Sequence, residues 1–375
     1  MARLRRVSCS GPGLTRKRRG KGFAYYGPDG RVVADTAVVE RVKALAIPPA
    51  WTDVWICQAA NGHLQAVGTD AAGRRQYLYH PQWRADRDRA KHERVLDMGR
   101  RLPAARAQVA ADLGDPDEVT ALARRDPRAA LTRERVLACA FRLLDLGFFR
   151  VGGEEYAEEH GSFGLSTLRR EHLRVGRDGG LTFSYTGKHG AHRELTLADP
   201  QAFAVVSALA RRRRAEEQLL VWADPEPGPQ VVWRDVASSH INAYVGERLG
   251  DATAKDFRTW HATVLAAVAL AVSEPTLTSP TARKRAVTRA MREVSDYLGN
   301  TPAVARASYV DPRVVDLFHD GHTVSDALTM IGEPGRGAEG AGGSTSAPGT
   351  HGAVEEAVLA LLSPETGAGA TAATG

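Results

Sequence analysis

The segment 279–309 constrains the fold of this chain most, because it contains a complete helix signal followed by an unusual tail. Ser279 is a favoured N-cap residue, and Pro280 occupies the first helical position, where its missing N–H is not needed. Gly299 follows the last apolar residue of the pattern, as a C-terminal glycine commonly does. A helix is therefore predicted between these signals, and the chain then runs through Asn-Thr-Pro and Arg-Ala-Ser to Tyr309.

Three cationic residues lie upstream of this tyrosine in distinctive contexts. Arg150 follows Phe-Phe and precedes Val-Gly, Lys188 ends the string Tyr-Thr-Gly-Lys, and Arg258 lies in Lys-Asp-Phe-Arg-Thr. A phenol with two arginines and a lysine can attack a phosphodiester without a metal ion. The phenol of Tyr309 is then the nucleophile, the arginines neutralise charge on the pentacoordinate phosphorus, and the lysine protonates the leaving oxygen.

Each of these residues also has an ordinary structural interpretation when it is taken alone. A tyrosine near a helix end is commonly half-buried in a core, and Arg150 can be a helix C-terminal charge. Arg258 can be a solvated charge on a helix, and Lys188 can be an inert turn residue. A phosphate loop around Lys188 is excluded, since Thr182 stands where the first glycine is required and His189 where Ser or Thr is required.

Taken together and in this order, the four residues resemble the type IB DNA topoisomerases, in particular the poxvirus-like enzymes found in bacteria. The resemblance covers about residues 3–330. It implies that Tyr309 attacks the phosphorus, that Arg150 and Arg258 bind the phosphate, and that Lys188 is the general acid. It also implies a 3′-phosphotyrosyl intermediate and the relaxation of positive and negative supercoils without ATP.

Asn300 is a departure from the poxvirus pattern, in which a histidine stands nine residues before the tyrosine. Either side chain can donate one hydrogen bond to a nonbridging phosphate oxygen. Asparagine does not titrate, so Asn300 is expected to bind the phosphate and not to act as a general base. No obvious base is then left for Tyr309, and water is expected to take its proton.

The sequence indicates an α+β fold, with a small N-terminal β-rich domain and a larger, mainly α catalytic domain of the tyrosine recombinase and topoisomerase IB type. The expected division is a basic flexible arm over 1–22, a DNA-binding β-rich domain over 23–95, a catalytic domain over 96–330 and a low-complexity, disordered tail over 331–375. The arm carries eight basic residues and no acidic one, which suits a polyanion such as nucleic acid. Within the tail, 354–362 has the pattern of a short amphipathic helix.

Turn signals predict two hairpins, one in each domain. Polar residues at 70–73 separate two β-rich runs, and 187–190 separates two more, which places Lys188 in a turn. Apolar spacing and capping signals predict helices in the catalytic domain over 200–214, 236–249, 255–272 and 279–298.

Candidate DNA contacts lie in the N-terminal domain. The segment 47–56 is similar to the N-terminal domain of the same family, and Gln76, Tyr77 and Tyr79 match positions that contact DNA there. For Tyr79, ordinary strand packing is an equally good interpretation.

Composition fits a DNA-binding protein of a reducing compartment. Lys and Arg number 50 against 44 Asp and Glu, a formal net charge of +6. Cys9, Cys57 and Cys139 are isolated from one another, which argues against a disulfide framework. No apolar run approaches the roughly 20 residues that cross a bilayer, and the start of the chain lacks a signal-peptide stretch. A cytoplasmic, nucleoid-associated location and no membrane partner are therefore expected.

The histidines and cysteines show no metal-ligand spacing, so neither a metal ion nor another cofactor is expected. The expected partner is duplex DNA, around which the two domains of a monomer would close as a clamp. Most contacts would then be made to phosphates, so binding would depend strongly on salt.

Two other functions remain open from the sequence alone. A tyrosine recombinase or integrase shares the fold and the nucleophile, but usually shows His-x-x-Arg, whereas here Arg258 precedes His261 in the order Arg-Thr-Trp-His. A non-catalytic DNA-binding protein would need basic surfaces, but not this ordered set of arginines, lysine and tyrosine.

Overall fold

The computed structural model describes residues 3–153, 161–212, 217–226, 230–273, 279–332 and 352–363. The chain divides into two compact units, an N-terminal unit, Met1–Glu93, and a helical unit, Arg94–Gly375. The first is built on an antiparallel sheet and the second is mainly helical, which confirms the predicted α+β fold class.

Five antiparallel strands form the sheet of the N-terminal unit: β1 (Leu14–Arg19), β2 (Gly22–Tyr26), β3 (Thr52–Ile56), β4 (Leu64–Thr69) and β5 (Arg75–Tyr79). Their spatial order is β2-β1-β3-β4-β5, so β5 is an edge strand. One helix, α1 (Thr36–Ala44), begins at Asp35, whose carboxylate accepts hydrogen bonds from the first turn. The predicted turn at 70–73 joins β4 to β5 and is closed by a 2.9 Å hydrogen bond from Asp70 N–H to Arg74 O.

The structure contradicts the prediction of a flexible arm over 1–22, because β1 pairs with a strand on each side. Leu14 is buried in the small core of this unit. The guanidinium of Arg16 donates to the carbonyl oxygens of Ile47 at 3.0 Å and Trp51 at 3.1 Å. The run of basic residues hides this strand in the sequence, since Leu14 is its one fully buried side chain.

Helix α2 (Pro81–Leu113) begins well before residue 96, where the sequence pattern first turned helical. Its first turns are rich in charged residues and expose most of them, so they lack the apolar repeat by which a helix is recognised. The repeat appears only where Val95, Leu96 and Leu102 become buried.

Helices make up most of the helical unit. After α2 come α3 (Pro116–Arg125), α4 (Pro127–Ala130), α5 (Arg133–Leu146), α6 (Pro200–Ala210), α7 (Ser238–Leu249), α8 (Ala254–Ser273), α9 (Pro280–Leu298), α10 (Pro302–Ser308), α11 (Pro312–His319), α12 (Ser325–Gly332) and α13 (Ala353–Leu361). Two small antiparallel sheets accompany them, one of β6 (Leu173–Val175), β7 (Gly180–Thr186) and β8 (His192–Ala198), the other of β9 (Val221–Ala223) and β10 (Trp233–Asp235). The predicted hairpin around 187–190 is confirmed as β7–β8, and the helices predicted over 236–249, 255–272 and 279–298 are confirmed as α7, α8 and α9. The helix predicted over 200–214 forms as α6 but ends at Ala210, and positions 213 and 214 lie outside the described residues.

Helix α8 is buried along most of its length and anchors the core of this unit. Phe257, Trp260 and Val264 have no exposed surface. The neighbouring helix α9 has the predicted ends: the Ser279 side chain accepts a hydrogen bond from Ala282 N–H, and Gly299 is left-handed with φ 62°.

Helix α13 docks onto α8 through a buried polar network. Glu355 accepts hydrogen bonds from Arg106 at 2.9 Å and from the Trp260 indole N–H at 2.8 Å. Arg106 also binds Asp145 at 2.8 Å, so the buried charges compensate one another. Within the predicted disordered tail over 331–375, the amphipathic helix expected over 354–362 forms as α13, and the rest of that prediction, beyond α12, lies outside the described residues.

Within the described residues, no helix is long and apolar enough to cross a membrane. The same part of the chain holds no group of three His, Cys, Asp or Glu side chains placed to bind a metal ion. Cys9, Cys57 and Cys139 are free, which confirms that they form no disulfide.

Candidate active site

The five predicted catalytic residues come from separate parts of the chain and line one cavity of about 550 Å³. This cationic cavity is lined by Arg150, Lys188, Arg258, Asn300 and Tyr309, together with Lys255 and small or apolar neighbours. None of the described residues that line it is Asp or Glu. The cavity therefore favours a negatively charged group.

Arg150 is held by the two phenylalanines that precede it. Phe149 is 1% exposed, and its ring centre lies 5.2 Å from that of Phe183 on β7. The ring centre of Phe148 lies 5.3 Å from that of His261 on α8. These packed rings fix the chain just after α5 and present the half-buried Arg150 to the cavity.

Arg150 and Asn300 form a direct pair. Arg150 Nη2 donates to Asn300 Oδ1 at 2.7 Å. The amide nitrogen Nδ2 of Asn300 is buried and has no hydrogen-bond partner within the described residues. Since the amide oxygen is already used by an arginine, the NH₂ group remains as a donor for an acceptor that enters the cavity.

Arg258 is 2% exposed and is fixed by backbone carbonyls at both ends of its guanidinium. Nη1 donates to the carbonyl of Phe148, and Nη2 donates to the carbonyl of Leu298 at 2.8 Å. Burial and the nearby Arg150 charge lower the pKa of Arg258 to about 10, so it stays protonated at neutral pH.

Tyr309 ends α10 and faces this buried guanidinium. The Arg258 Cζ atom lies 5.3 Å from the centre of the phenol ring. Burial by itself disfavours the phenolate, but the charges of Arg258 and Arg150 outweigh it, and the pKa of Tyr309 is lowered below its usual value. The Thr263 hydroxyl on α8 accepts a hydrogen bond from Asp311 N–H at 3.1 Å, which holds the segment just after Tyr309 beside α8.

Lys188 opens the turn between β7 and β8, and its side chain is exposed. The turn is closed by a 2.7 Å hydrogen bond from Gly187 N–H to Ala191 O. An ammonium on a turn at the rim of the cavity can reach a group bound inside it while keeping contact with solvent.

Lys255 is a member of the cavity that the sequence reasoning missed. It lies on α8 three residues before Arg258, so both residues share one helix face, and its charge helps to lower the pKa of Tyr309. That spacing was the available signal. The arrangement as a whole can bind a phosphate-like anion and stabilise a phenolate beside it.

The three candidate DNA contacts lie on the edge strand β5 of the N-terminal unit. Tyr77 and Tyr79 are 47% and 38% exposed, and their rings stack at 6.3 Å on one face of the strand. Gln76 points to the other face, where its amide donates to Asp70 at 2.9 Å. The exposed pair offers an aromatic surface, whereas Gln76 already has a partner.

Comparison with known proteins gives a consistent result over most of the chain. Residues 22–70 match the family model described as the N-terminal domain of bacterial DNA topoisomerase IB, and residues 80–316 match the catalytic core of eukaryotic DNA topoisomerase I. The second match contains all five predicted cavity residues, whereas the strand β5 lies between the two matched ranges.

The viral relatives match over much of their own length, and a eukaryotic relative matches over a smaller part. DNA topoisomerase 1B of Acanthamoeba polyphaga mimivirus is 28% identical over 312 residues, which cover 82% of this chain and 88% of the relative. DNA topoisomerase 1B of Vaccinia virus (strain Copenhagen) is 21% identical over 298 residues, covering 76% of this chain and 83% of the relative. DNA topoisomerase 1 of Schizosaccharomyces pombe is 26% identical over 148 residues, covering 39% of this chain and 17% of the relative.

Proposed function

Since this chain belongs to the type IB family of DNA topoisomerases, which are isomerases that act on DNA, we propose that it relaxes positive and negative supercoils by cleaving and resealing one strand. The observation that carries the proposal is the convergence of Tyr309 with Arg150, Lys188, Arg258 and Asn300 on one cationic cavity. A phosphodiester of the DNA backbone is the anion that this cavity receives.

Cleavage begins with attack of the Tyr309 hydroxyl oxygen on the phosphorus. A bond forms between this oxygen and phosphorus, and the bond from phosphorus to the 5′ oxygen breaks. The lowered pKa of Tyr309 eases loss of its proton, which passes to water, and Lys188 gives a proton to the leaving 5′ oxygen. The products are a 3′-phosphotyrosyl bond and a free 5′-hydroxyl end. One phosphodiester replaces another, so no ATP is needed.

Charge that develops on the nonbridging oxygens is stabilised by groups already in place. Arg258 is fixed by two carbonyls, and Arg150 is fixed by Asn300, so neither has to reorganise when the pentacoordinate state forms. The unused amide hydrogens of Asn300 supply a neutral donor. Lys255 adds positive charge next to the attacking oxygen and favours its ionised form.

Between cleavage and religation, the DNA downstream of the break turns around the intact strand, driven by torsional strain. Attack of the 5′-hydroxyl on the phosphotyrosine then restores the original bond and frees Tyr309. The exposed rings of Tyr77 and Tyr79 are proposed to contact the duplex, which a monomer clamps. A DNA substrate implies a location at the nucleoid.

A plasmid relaxation assay tests this function. The protein is expected to relax positively and negatively supercoiled plasmid without ATP and in the presence of EDTA, because the arginines and lysines supply the cationic field. Rising salt is expected first to speed turnover by aiding release, and then to abolish binding. A strict requirement for a divalent metal, or relaxation of negative supercoils alone, would exclude the proposed function.

The general-acid role of Lys188 has its own test. Lys188→Ala is expected to slow single-turnover cleavage of a normal phosphodiester by about 10²- to 10⁴-fold, the range of general acid catalysis. With sulfur in place of the leaving 5′ oxygen, the loss is expected to fall to less than about tenfold, since a thiolate departs without a proton. Equal losses on the two substrates, measured by rapid-quench trapping of the covalent adduct, would remove this role.

A further inference from the structure

Arg193 lies between two glycines, each of which directly precedes a residue of the cationic cavity. Its Cγ atom packs against Gly187, where a Cβ atom would come within 3.1 Å of it. Its guanidinium packs against Gly299, where a Cβ atom would come within 2.6 Å of Nη1. Gly187 precedes Lys188, and Gly299 precedes Asn300. One side chain therefore touches both segments, although they belong to different elements.

The guanidinium of Arg193 joins the β7–β8 hairpin to the end of α9. Nη2 donates to the carbonyl of Tyr297 at 2.5 Å, and Nη1 donates to the carbonyl of Asp296 at 3.3 Å. The last carbonyls of a helix have no partner within the helix, and a cation there is favoured by the helix dipole. The hairpin thus supplies a cation that binds the carbonyls at the C-terminal end of α9.

The segment with Gly299 and Asn300, at the end of α9, is also held by hydrogen bonds that do not involve Arg193. Gly299 N–H bonds to Asp296 O at 3.3 Å, and Asn300 N–H bonds to Ser295 O at 3.1 Å. The Asn300 side chain is held by Arg150 at 2.7 Å. Removal of Arg193 would leave all three of these hydrogen bonds in place.

The turn that carries Lys188 is supported differently. Its own hydrogen bonds, from Gly187 to Ala191 at 2.7 Å and from Gly190 to Gly187 at 3.2 Å, close the turn but do not fix its direction relative to α9. A bond from Phe163 N–H to Thr186 O at 2.8 Å holds the strand before the turn. On the strand after the turn, the side chain of Arg193 makes the connection to α9.

We propose that Arg193 is a positioning residue, which holds the Lys188 turn against the end of α9 so that the ammonium group reaches the leaving 5′ oxygen. This role rests on the proposed function, because it requires Lys188 to be the general acid. Arg193 does not line the cationic cavity, and both its terminal nitrogens donate to carbonyls of α9, so the residue acts through the hairpin.

The test compares two leaving groups in single-turnover cleavage. Arg193→Ala is expected to slow cleavage with the normal 5′ oxygen by about tenfold. This loss is smaller than that of Lys188→Ala, because the general acid is misplaced but still present. With a 5′ sulfur, its rate is expected to lie within about twofold of the unchanged protein, since sulfur needs no proton. The double variant with Lys188→Ala is expected to be no slower than Lys188→Ala alone, because both changes remove one effect.

Two further variants separate positioning from a general effect of charge or folding. Arg193→Lys keeps the charge and the aliphatic stem but not the fork onto two carbonyls, so its loss on the oxygen substrate is expected to be intermediate. Arg174→Ala removes a guanidinium from β6 of the same sheet, where the side chain is 73% exposed, and is expected to leave both rates unchanged.

The outcomes distinguish this proposal from the function on which it rests. If sulfur restores Lys188→Ala but not Arg193→Ala, Arg193 acts on the phosphate oxygens or on folding, and the positioning role is overturned. Additive losses in the double variant overturn it as well. If sulfur does not restore Lys188→Ala, the general-acid assignment itself fails, and the role of Arg193 fails with it.

Discussion

Tyr309→Phe is expected to bind duplex DNA within about threefold of the unchanged protein and to form no covalent adduct, because only the attacking oxygen is lost. The phenyl ring keeps its place beside Arg258, whose Cζ atom lies 5.3 Å from the ring centre. Binding is measured by a mobility shift, and the adduct by denaturing the mixture in detergent after the protein meets a labelled duplex.

The matched control is Tyr297→Phe. Tyr297 is 48% exposed on α9, and it is the nearest alternative phenol along the chain. This variant is expected to form the adduct at the normal rate. An adduct that persists in Tyr309→Phe and disappears in Tyr297→Phe would move the nucleophile to α9.

The residues of the cavity could be identified from sequence because their strings, taken together and in order, resemble one family, although each residue alone has an ordinary structural interpretation. Lys188 sits in a turn with clear strand signals on both sides, and Gly299 ends a helix with clear caps. These are local signals, set by a few neighbouring residues, and the structure has the elements where the signals place them. The convergence of these residues on one cavity was implied by resemblance alone.

What the sequence did not indicate depends on partners that are distant along the chain. The strand β1 has one buried residue, Leu14, and gains its hydrogen bonds from β2 and β3. Helix α13 is short and lies in a stretch of low complexity, and its docking depends on Glu355 meeting Arg106, 249 residues away. Composition therefore wrongly favoured a flexible arm where β1 forms, and the amphipathic pattern of 354–362 predicted the helix but not the place where it docks.

The hydrogen bonds that hold the cavity residues in place could not be predicted from the sequence for the same reason. Arg258 is held by carbonyls 110 and 40 residues away, and backbone acceptors carry no side-chain signature. Those carbonyls belong to Phe148 and Leu298, which lie just before Arg150 and Asn300 in their segments. Arg258 therefore links the two segments that contain Arg150 and Asn300, the other groups proposed to bind the phosphate.

This double anchorage makes Arg258→Lys a severe change although the charge is kept. Single-turnover cleavage is expected to fall by about 10²- to 10³-fold, the usual cost of removing a fixed donor from a developing oxyanion. Lysine has a single terminal nitrogen, so it cannot hold the carbonyls of Phe148 and Leu298 and still present a planar donor to the phosphate. The rate is measured by rapid-quench trapping of the adduct at saturating protein.

Cleavage of a substrate with a 5′ sulfur leaving group distinguishes this loss of rate from the loss caused by changes at Lys188. In the proposed mechanism Arg258 acts on the nonbridging oxygens and on the phenol, so its defect is expected to persist when sulfur replaces the 5′ oxygen. Arg94→Lys is the matched control, because Arg94 binds Asp256 of the same helix at 2.8 Å but does not line the cavity, and its rate is expected to stay within about threefold. Near-normal cleavage by Arg258→Lys would mean that Arg258 contributes only charge, and that the two carbonyls serve folding instead of the geometry of the phosphate site.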